Sequence, residues 1–166
     1  MAAERRRALL AALLALPLLA AGAAGTADRN DARLVTRDLA ADAARLPAGG
    51  VLLLLFSLPD CHWCHEVRSH YLLPLVREPG NGDLLIRELR LTDEALRDLD
   101  SHTVDIDALS RRWSVKAAPT LLFLDRCGAP LAEALVGGDV AGFYGAYFDA
   151  ALATAREAAA GRSPRC

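Results

Sequence analysis

A chain of 166 residues with a formal net charge of −2 is long enough for one domain with a hydrophobic core. Because it carries no basic stripe, nucleic acid is excluded as the expected partner. The chain has four cysteines and one methionine, Met1, so few sulfur-containing side chains are available for redox chemistry or metal binding.

Residues 1–23 have the pattern of a secretory signal peptide. Three consecutive arginines precede an apolar stretch over 8–20, and Ala21-Gly22-Ala23 forms an A-x-A cleavage site. Cleavage there removes three arginines and one glutamate, so the net charge becomes −4. An uncleaved anchor is the alternative, although the stretch is short for a membrane span and contains Pro17. We therefore expect a periplasmic or secreted protein whose cysteines meet an oxidising compartment.

The remaining chain alternates helical and extended patterns. After a leader over 24–33, hydrophobic periodicity and turn signals predict helices over 31–46, 61–77, 92–107, 106–113 and 140–159, and strands over 51–56, 84–91, 121–124 and 130–136. The order predicts one α/β domain over 34–160, with a central mixed sheet flanked by helices on both faces, and a flexible tail over 161–166.

Three details of these elements are specific expectations. Pro74 should kink or stop its helix near the end. The acidic stretch 92–107 is interpreted as an exposed helical insertion. The last helix should turn four residues inward: Phe143, Tyr147, Ala151 and Leu152.

The candidate chemistry lies in Cys61-His62-Trp63-Cys64-His65, directly after the predicted buried strand 51–56. Pro59-Asp60 supplies a turn, so both cysteines fall in the first turn of the next helix, where the N-terminus favours a thiolate. One sulfur can attack a disulfide and the second can resolve the mixed disulfide. The pattern predicts dithiol chemistry on protein thiols and disulfides, without an organic cofactor.

Two other interpretations of these residues stay open. Cys-x-x-Cys-His is also the c-type haem attachment pattern, for which His70 or His102 would have to supply the second axial ligand in place of a methionine. A copper or zinc site from Cys61, Cys64 and nearby imidazoles is the other alternative. The sequence has no second Cys-x-x-Cys or His-x-x-x-His to complete a tetrahedral set, so we expect no metal.

The residues around the cysteines have expected modulating roles. A cationic His62 would stabilise the Cys61 thiolate and make the disulfide more oxidising, or it is a solvated surface residue. Trp63 is either an exposed contact surface for partners or packs against a neighbouring loop. His65 is a proton-transfer group, a haem ligand or a surface residue. Cys127 and Cys166 can form a disulfide, remain free or link two chains, because spacing does not decide connectivity.

Three separated features resemble the thioredoxin superfamily over residues 34–156. They are the strand before Cys61-x-x-Cys64, the segment Trp113-Ser-Val-x-x-x-Pro119-Thr before an apolar strand, and a glycine turn with Gly137-Gly138 before the last helix. The resemblance implies a thioredoxin-like fold with a cis Pro119 beside the cysteines. Cys61 would be the nucleophile, Cys64 the resolving thiol, and Ala118 with Pro119 the edge where substrate backbone docks.

Within the superfamily, the likeness is closest to exported bacterial thioredoxin-fold proteins, some tied to sulfur oxidation or cytochrome maturation. It implies a membrane redox partner that recycles the cysteine pair. One departure concerns the buried aspartate that typical thioredoxins carry six residues before the first cysteine, where this chain has Leu55. Glu88, Asp60, His65 or water would have to accept the Cys64 proton instead.

Overall fold

The structure is a computed structural model that describes residues 34–162 and Cys166. The predicted signal peptide and leader, and residues 163–165 of the predicted tail, lie outside the described residues. In chain order the elements are α1 (Leu39–Ala43), β1 (Val51–Ser57), α2 (His62–Val67), a π-helical turn (Arg68–Leu72), α3 (Leu73–Arg77), β2 (Leu84–Arg90), β3 (Ala95–Arg97), β4 (Thr103–Asp105), α4 (Ile106–Arg112), β5 (Thr120–Leu124), β6 (Leu135–Val136) and α5 (Tyr144–Ala160).

The central strand is β1, and all its residues are buried. It pairs in parallel with β2 on one side and antiparallel with β5 on the other, and β6 pairs antiparallel with β5, giving the order β2-β1-β5-β6. A strand buried on both faces needs a covering layer on each. The sheet is therefore mixed, as the sequence predicted.

Two hydrophobic layers cover this sheet. Val51, Leu53 and Leu55 point into a cluster with the active-site helix and α5, whereas Leu52, Leu54 and Phe56 point into a cluster with α1, β3 and α4. Side chains alternate across a strand, so one apolar run supplies both clusters. Each fully buried leucine contributes about 1.5–3 kcal/mol relative to its exposed state. The α/β class with helices on both faces is confirmed.

The helix predicted over 31–46 is interrupted in its middle: Leu34 is helical, residues 35–38 are not, and residues 31–33 lie outside the described residues. The helix resumes at Leu39, where the Asp38 carboxylate caps it by accepting the Ala41 N–H at 2.8 Å. Val35 instead forms a parallel bridge with Glu88. Extended pairing at the edge of β2 replaces helix there, and β-branched residues favour it.

The helical insertion predicted over 92–107 is also wrong, because the segment forms the β3–β4 hairpin. The Asp98 carboxylate accepts the backbone N–H groups of Asp100 at 2.9 Å and His102 at 2.8 Å, and Ser101 has a φ of 65°. Short polar side chains that bond their own turn compete with helix. Leu96, which fitted a helical spacing in the sequence, belongs to the hairpin and packs from there against the sheet.

The active-site helix has the predicted extent but contains a π-helical turn, Arg68–Leu72, immediately before Pro74. Proline has no N–H to donate to the preceding turn, so a wider turn at this point accommodates it. Pro74 does not stop the helix, which continues past it to Arg77, and the loop before β2 follows.

Two predictions for the last third need correction. The strand over 130–136 is interrupted, because only Leu135–Val136 forms β6 and Pro130 makes an isolated bridge to Leu124. The last helix begins at Tyr144, and its predicted inward face is only half right: Leu152 is buried and Ala151 packs against the core, whereas Phe143 and Tyr147 are 63% and 65% exposed. The buried residues of the helix are Tyr144, Phe148, Leu152, Ala155 and Ala159. Among the described residues, no helix is both long and apolar enough to cross a membrane.

The chain's last residue is tied to the β5–β6 turn. Cys166 forms a disulfide with Cys127, with the two Cα atoms 5.4 Å apart. Nearby, the Arg162 guanidinium lies 2.9 Å from the Asp125 carboxylate. Of the alternatives left open by the sequence, the structure has the intramolecular disulfide.

Candidate active site

The two central cysteines lie where β1 ends and α2 begins. They form a disulfide with Cα atoms 5.2 Å apart, and the Cys61 Sγ accepts the Cys64 N–H at 3.0 Å as the N-cap of α2. Cys64 is fully buried, whereas Cys61 is partly exposed. An incoming sulfur can therefore reach Cys61 and not Cys64. Amide groups at the helix start stabilise negative charge on the exposed sulfur.

Pro119 lies at the same edge of the sheet as the cysteines. The Ala118–Pro119 bond is cis, as the resemblance implied. Thr120 pairs with Phe56, so the start of β5 lies beside the end of β1, from which the chain turns into Cys61. Pro119 is buried and Ala118 half-buried. The fold thus brings the two predicted substrate-docking residues to the end of the sheet that carries the cysteine pair.

Trp63 is partly exposed and also packs against a neighbouring loop. It is 38% exposed, and its ring packs directly against the backbone of Gly138. His62 is exposed beside it, with the two ring centroids 5.1 Å apart in an edge-on arrangement. His65 is also exposed, and its Nε2 lies 3.4 Å from the Ser69 hydroxyl. Both histidines therefore lie on the outer surface of α2.

A buried polar cluster that the sequence did not predict fastens the active-site helix to the sheet. The Glu88 carboxylate accepts two hydrogen bonds from the Arg68 guanidinium, at 2.5 and 2.8 Å, and one from the Ser57 hydroxyl at 2.5 Å. Arg68 lies one turn after Cys64, Glu88 is on β2, and Ser57 ends β1. Charged residues within the otherwise apolar pattern of β2 were the sequence signal that could have predicted this buried cluster.

This cluster bears on the missing buried aspartate. Glu88 is the register partner of Leu55, which occupies the aspartate position, and it is 1% exposed, whereas Asp60 and His65 are exposed. Of the three proposed proton acceptors, Glu88 is therefore the one in the interior. Both of its oxygens already accept hydrogen bonds from Ser57 and Arg68. Its evident role is to hold the helix that carries Cys64.

A second unpredicted contact joins the helix to the segment before α5. The Tyr71 hydroxyl donates to Asp139 Oδ2 at 3.2 Å, and Asp139 Oδ1 accepts the Tyr144 N–H at 3.2 Å. Burial, together with the nearby Asp139 carboxylate, raises the pKa of Tyr71. The phenol therefore keeps its proton and stays a hydrogen-bond donor at neutral pH.

No group of three or more His, Cys, Asp and Glu side chains in the described part of the chain is arranged to hold a metal ion. His70 pairs with Glu66 at 2.9 Å, and His102 lies in the β3–β4 turn. The site consists of a cysteine pair, a cis-proline and an indole ring. Its available chemistry is the making and breaking of sulfur–sulfur bonds.

No protein-family model matches the chain, and no curated protein matches it. Its structure is similar to a thioredoxin-fold protein from Helicobacter pylori (13% identity, 68% of this chain and 75% of that chain, TM-score 0.49). It is also similar to a poplar thioredoxin h (23% identity, 75% and 90%, TM-score 0.42). The third is the periplasmic thioredoxin SoxS from Paracoccus pantotrophus in its reduced form (14% identity, 63% and 98%, TM-score 0.42).

The chain's own topology has the features of this fold. The sheet order β2-β1-β5-β6, the cysteine pair at the start of the helix after β1, and the cis-proline before β5 are all present. Together they define a thioredoxin-like α/β fold. The site on it is a Cys-x-x-Cys disulfide with one accessible sulfur.

Proposed function

We propose that this chain is an exported thiol–disulfide oxidoreductase that exchanges protein disulfides through Cys61 and Cys64. One observation carries the proposal: a disulfide joins a reachable sulfur at a helix N-terminus to a fully buried sulfur one turn further on. Such an arrangement separates the attacking thiol from the resolving thiol, which disulfide exchange requires.

The reaction is a pair of thiolate displacements. In the reduced protein, the Cys61 thiolate attacks a substrate disulfide, and one substrate sulfur leaves as a thiolate that takes up a proton. The Cys64 thiol then loses its proton and attacks Cys61 in the mixed disulfide, which releases the second substrate sulfur. That second sulfur is also protonated, so two electrons pass to the substrate together with two protons, one from Cys64 and one from solvent, and the Cys61–Cys64 disulfide forms. Running the same steps backward oxidises a substrate dithiol.

The neighbouring residues have distinct parts in this proposal. Ala118 and Pro119 form the edge against which substrate backbone lies, and Trp63 supplies an apolar contact beside the sulfur. His62, when protonated, favours the Cys61 thiolate and hence the reduced form. Its exposure argues for a small effect, because water and salt screen a surface charge.

Export is the second part of the proposal. It rests on the basic, apolar and A-x-A segments of residues 1–23 and on four cysteines suited to an oxidising compartment. A membrane redox partner would then recycle the pair. Mass spectrometry of the exported protein tests cleavage, because a mature chain beginning at residue 24 is expected. Recovery of the uncleaved chain in the membrane fraction would refute cleavage of the signal peptide.

Variants of the two cysteines test the chemistry. Cys61→Ser should abolish reduction of insulin disulfides, and Cys64→Ser should trap partners as mixed disulfides that dithiothreitol releases. The matched control is the Cys127→Ser/Cys166→Ser double variant, which removes the other disulfide and should stay active. Trapping by Cys61→Ser instead would reverse the assigned roles.

Two further measurements complete the test. A reduction potential near −270 mV would indicate a reductase and one near −120 mV an oxidant, by comparison with thioredoxin and DsbA. A Soret band in the purified mature protein would replace the proposal with a haem carrier. Stoichiometric copper or zinc without disulfide turnover would replace it with a metal-binding module.

A further inference from the structure

The 137–142 loop, which joins β6 to α5, holds Trp63 in place. Trp63 contacts it directly, since a Cβ atom added at Gly138 would lie 2.5 Å from the Trp63 Cδ2 and Cε3 atoms and 2.7 Å from its Cβ. The Trp63 side chain therefore fills the space that a side chain at position 138 would need. Trp63 is supported there by the loop, while 38% of its surface remains exposed to solvent.

Position 138 requires glycine because there is no room for a side chain, and not because of its backbone conformation. Gly137 and Gly142 have φ values of 88° and 76°, so each needs glycine for its conformation. Gly138 is not in the left-handed region. Alanine at 138 is consequently allowed by the backbone, and its methyl group would displace the Trp63 ring.

Hydrogen bonds fix the loop at two further points. The Gly137 N–H donates to the Pro119 carbonyl at 2.8 Å, which ties the loop to the cis-proline segment. The Tyr71 hydroxyl donates to Asp139, which ties it to the active-site helix. The loop thus touches both predicted substrate-contact elements, the helix of Trp63 and the segment of Pro119.

We propose that Gly138 and the Tyr71–Asp139 hydrogen bond are positioning elements that set the orientation of Trp63, and that this orientation selects polypeptide disulfides over small ones. The inference rests on the proposed thiol–disulfide exchange. A small disulfide needs to reach only the Cys61 sulfur, whereas a polypeptide must also lie against the side chains around it. Displacing Trp63 therefore weakens polypeptide binding and leaves the exchange step unchanged.

The experiment compares Gly138→Ala, Trp63→Ala and the double variant. The control is Gly82→Ala, because Gly82 is exposed, lies in the loop before β2 and has no atom within 4 Å of an added Cβ. In Gly138→Ala, KM for insulin should rise at least about twofold and at most about 150-fold, which is the range of coupling between side chains in contact expressed as a ratio. With glutathione disulfide, kcat/KM should stay within about twofold, the usual scatter between independent sites.

A double-mutant cycle shows whether Gly138 acts through Trp63. In the Trp63→Ala background, Gly138→Ala should have no further effect on KM for insulin. Should Gly138→Ala fail to fold, Tyr71→Phe removes the donor to Asp139 without adding volume and should raise KM in the same direction. Equal losses with both substrates, or an unchanged Gly138 effect without the indole, would overturn the proposal.

Acrylamide quenching provides a readout that is independent of activity. Subtracting the fluorescence of the matching Trp63→Ala protein isolates the indole at position 63. Its quenching should increase in Gly138→Ala and remain unchanged in Gly82→Ala. A wild-type protein inactive on both substrates would refute the proposed function, while unchanged quenching in Gly138→Ala would refute the positioning by Gly138.

Discussion

Replacing Glu88 by leucine is expected to be among the most destabilising single changes at the base of the active site. The Glu88 side chain is 1% exposed and that of Arg68 is 13% exposed, so their ion pair is shielded from water. Removing one partner of a buried pair costs about 3–5 kcal/mol, because the remaining charge stays desolvated. The Ser57 hydroxyl also loses its acceptor, which adds about 1–3 kcal/mol.

The double variant Glu88→Leu/Arg68→Met removes both charges at once. Exchanging a buried pair for apolar side chains is often neutral, so the loss attributed to the charge should be recovered. A loss of about 1–3 kcal/mol should remain from the Ser57 hydroxyl, which still lacks its acceptor. The contrast is the exposed pair Arg112–Asp100, at 3.0 Å, whose side chains are 36% and 59% exposed. Asp100→Asn should therefore cost only about 0–1 kcal/mol.

Urea unfolding of the oxidised proteins, followed by far-ultraviolet circular dichroism, measures these free energies. A slope m that stays constant between variants would show that stability and not denatured-state compactness has changed. The reasoning fails if Glu88→Leu costs no more than Asp100→Asn. It also fails if the double variant is as unstable as Glu88→Leu.

Three further changes have defined outcomes. Cys127→Ser/Cys166→Ser opens a disulfide with a sequence separation of 39, which should lower the free energy of unfolding by about 4 kcal/mol in the loop-entropy estimate. Burial raises the Asp42 pKa, but hydrogen bonds, the largest from Arg87, outweigh burial and leave it below its usual 3.8. The stabilisation by Asp42 is then complete above about pH 3.8 and lost as pH falls toward the folded-state pKa, and Asp42→Asn should flatten this acid dependence. Tyr144→Phe should be neutral or raise stability by up to about 1 kcal/mol, because the buried hydroxyl has no hydrogen-bond partner among the described residues.

Each of these outcomes has a contrary result. Unchanged urea midpoints without the Cys127–Cys166 disulfide would show that it adds no stability. An acid transition identical in Asp42→Asn would assign the loss of stability to other carboxylates. A clear loss of stability in Tyr144→Phe would show that the hydroxyl is satisfied in solution, by water or another partner.

The predictions that succeeded depend on patterns within short stretches of chain. An apolar run of strand length predicted β1, because a strand buried on both faces needs no polar alternation. The turn at Pro59-Asp60 placed the cysteines at a helix start, where Cys61 is the N-cap residue. The cis bond before Pro119 came from a motif of the superfamily and not from physical derivation.

The errors arose where a local pattern had two solutions. Phe143 and Tyr147 have the same spacing as Tyr144 and Phe148, so helical periodicity alone could not decide which pair is buried at the start of the last helix. Docking against the sheet buried Tyr144 and Phe148, while Leu152 was predicted correctly and Ala151 packs against the same cluster. In the same way, apolar spacing around Leu96 suited a helix until the turn at Asp98 made a hairpin the better solution.

The sequence by itself determined the fold class, the redox pair and its helix start, because strand length, turn residues and cysteine spacing act within a few residues of one another. Tertiary structure alone decided what supports that pair. Glu88 meets Arg68 only because β2 lies parallel to β1 beneath the active-site helix, and Gly138 meets Trp63 only because β6 ends beside that helix. Such contacts join residues far apart in the chain, and the path of the backbone, which no local pattern encodes, brings them together.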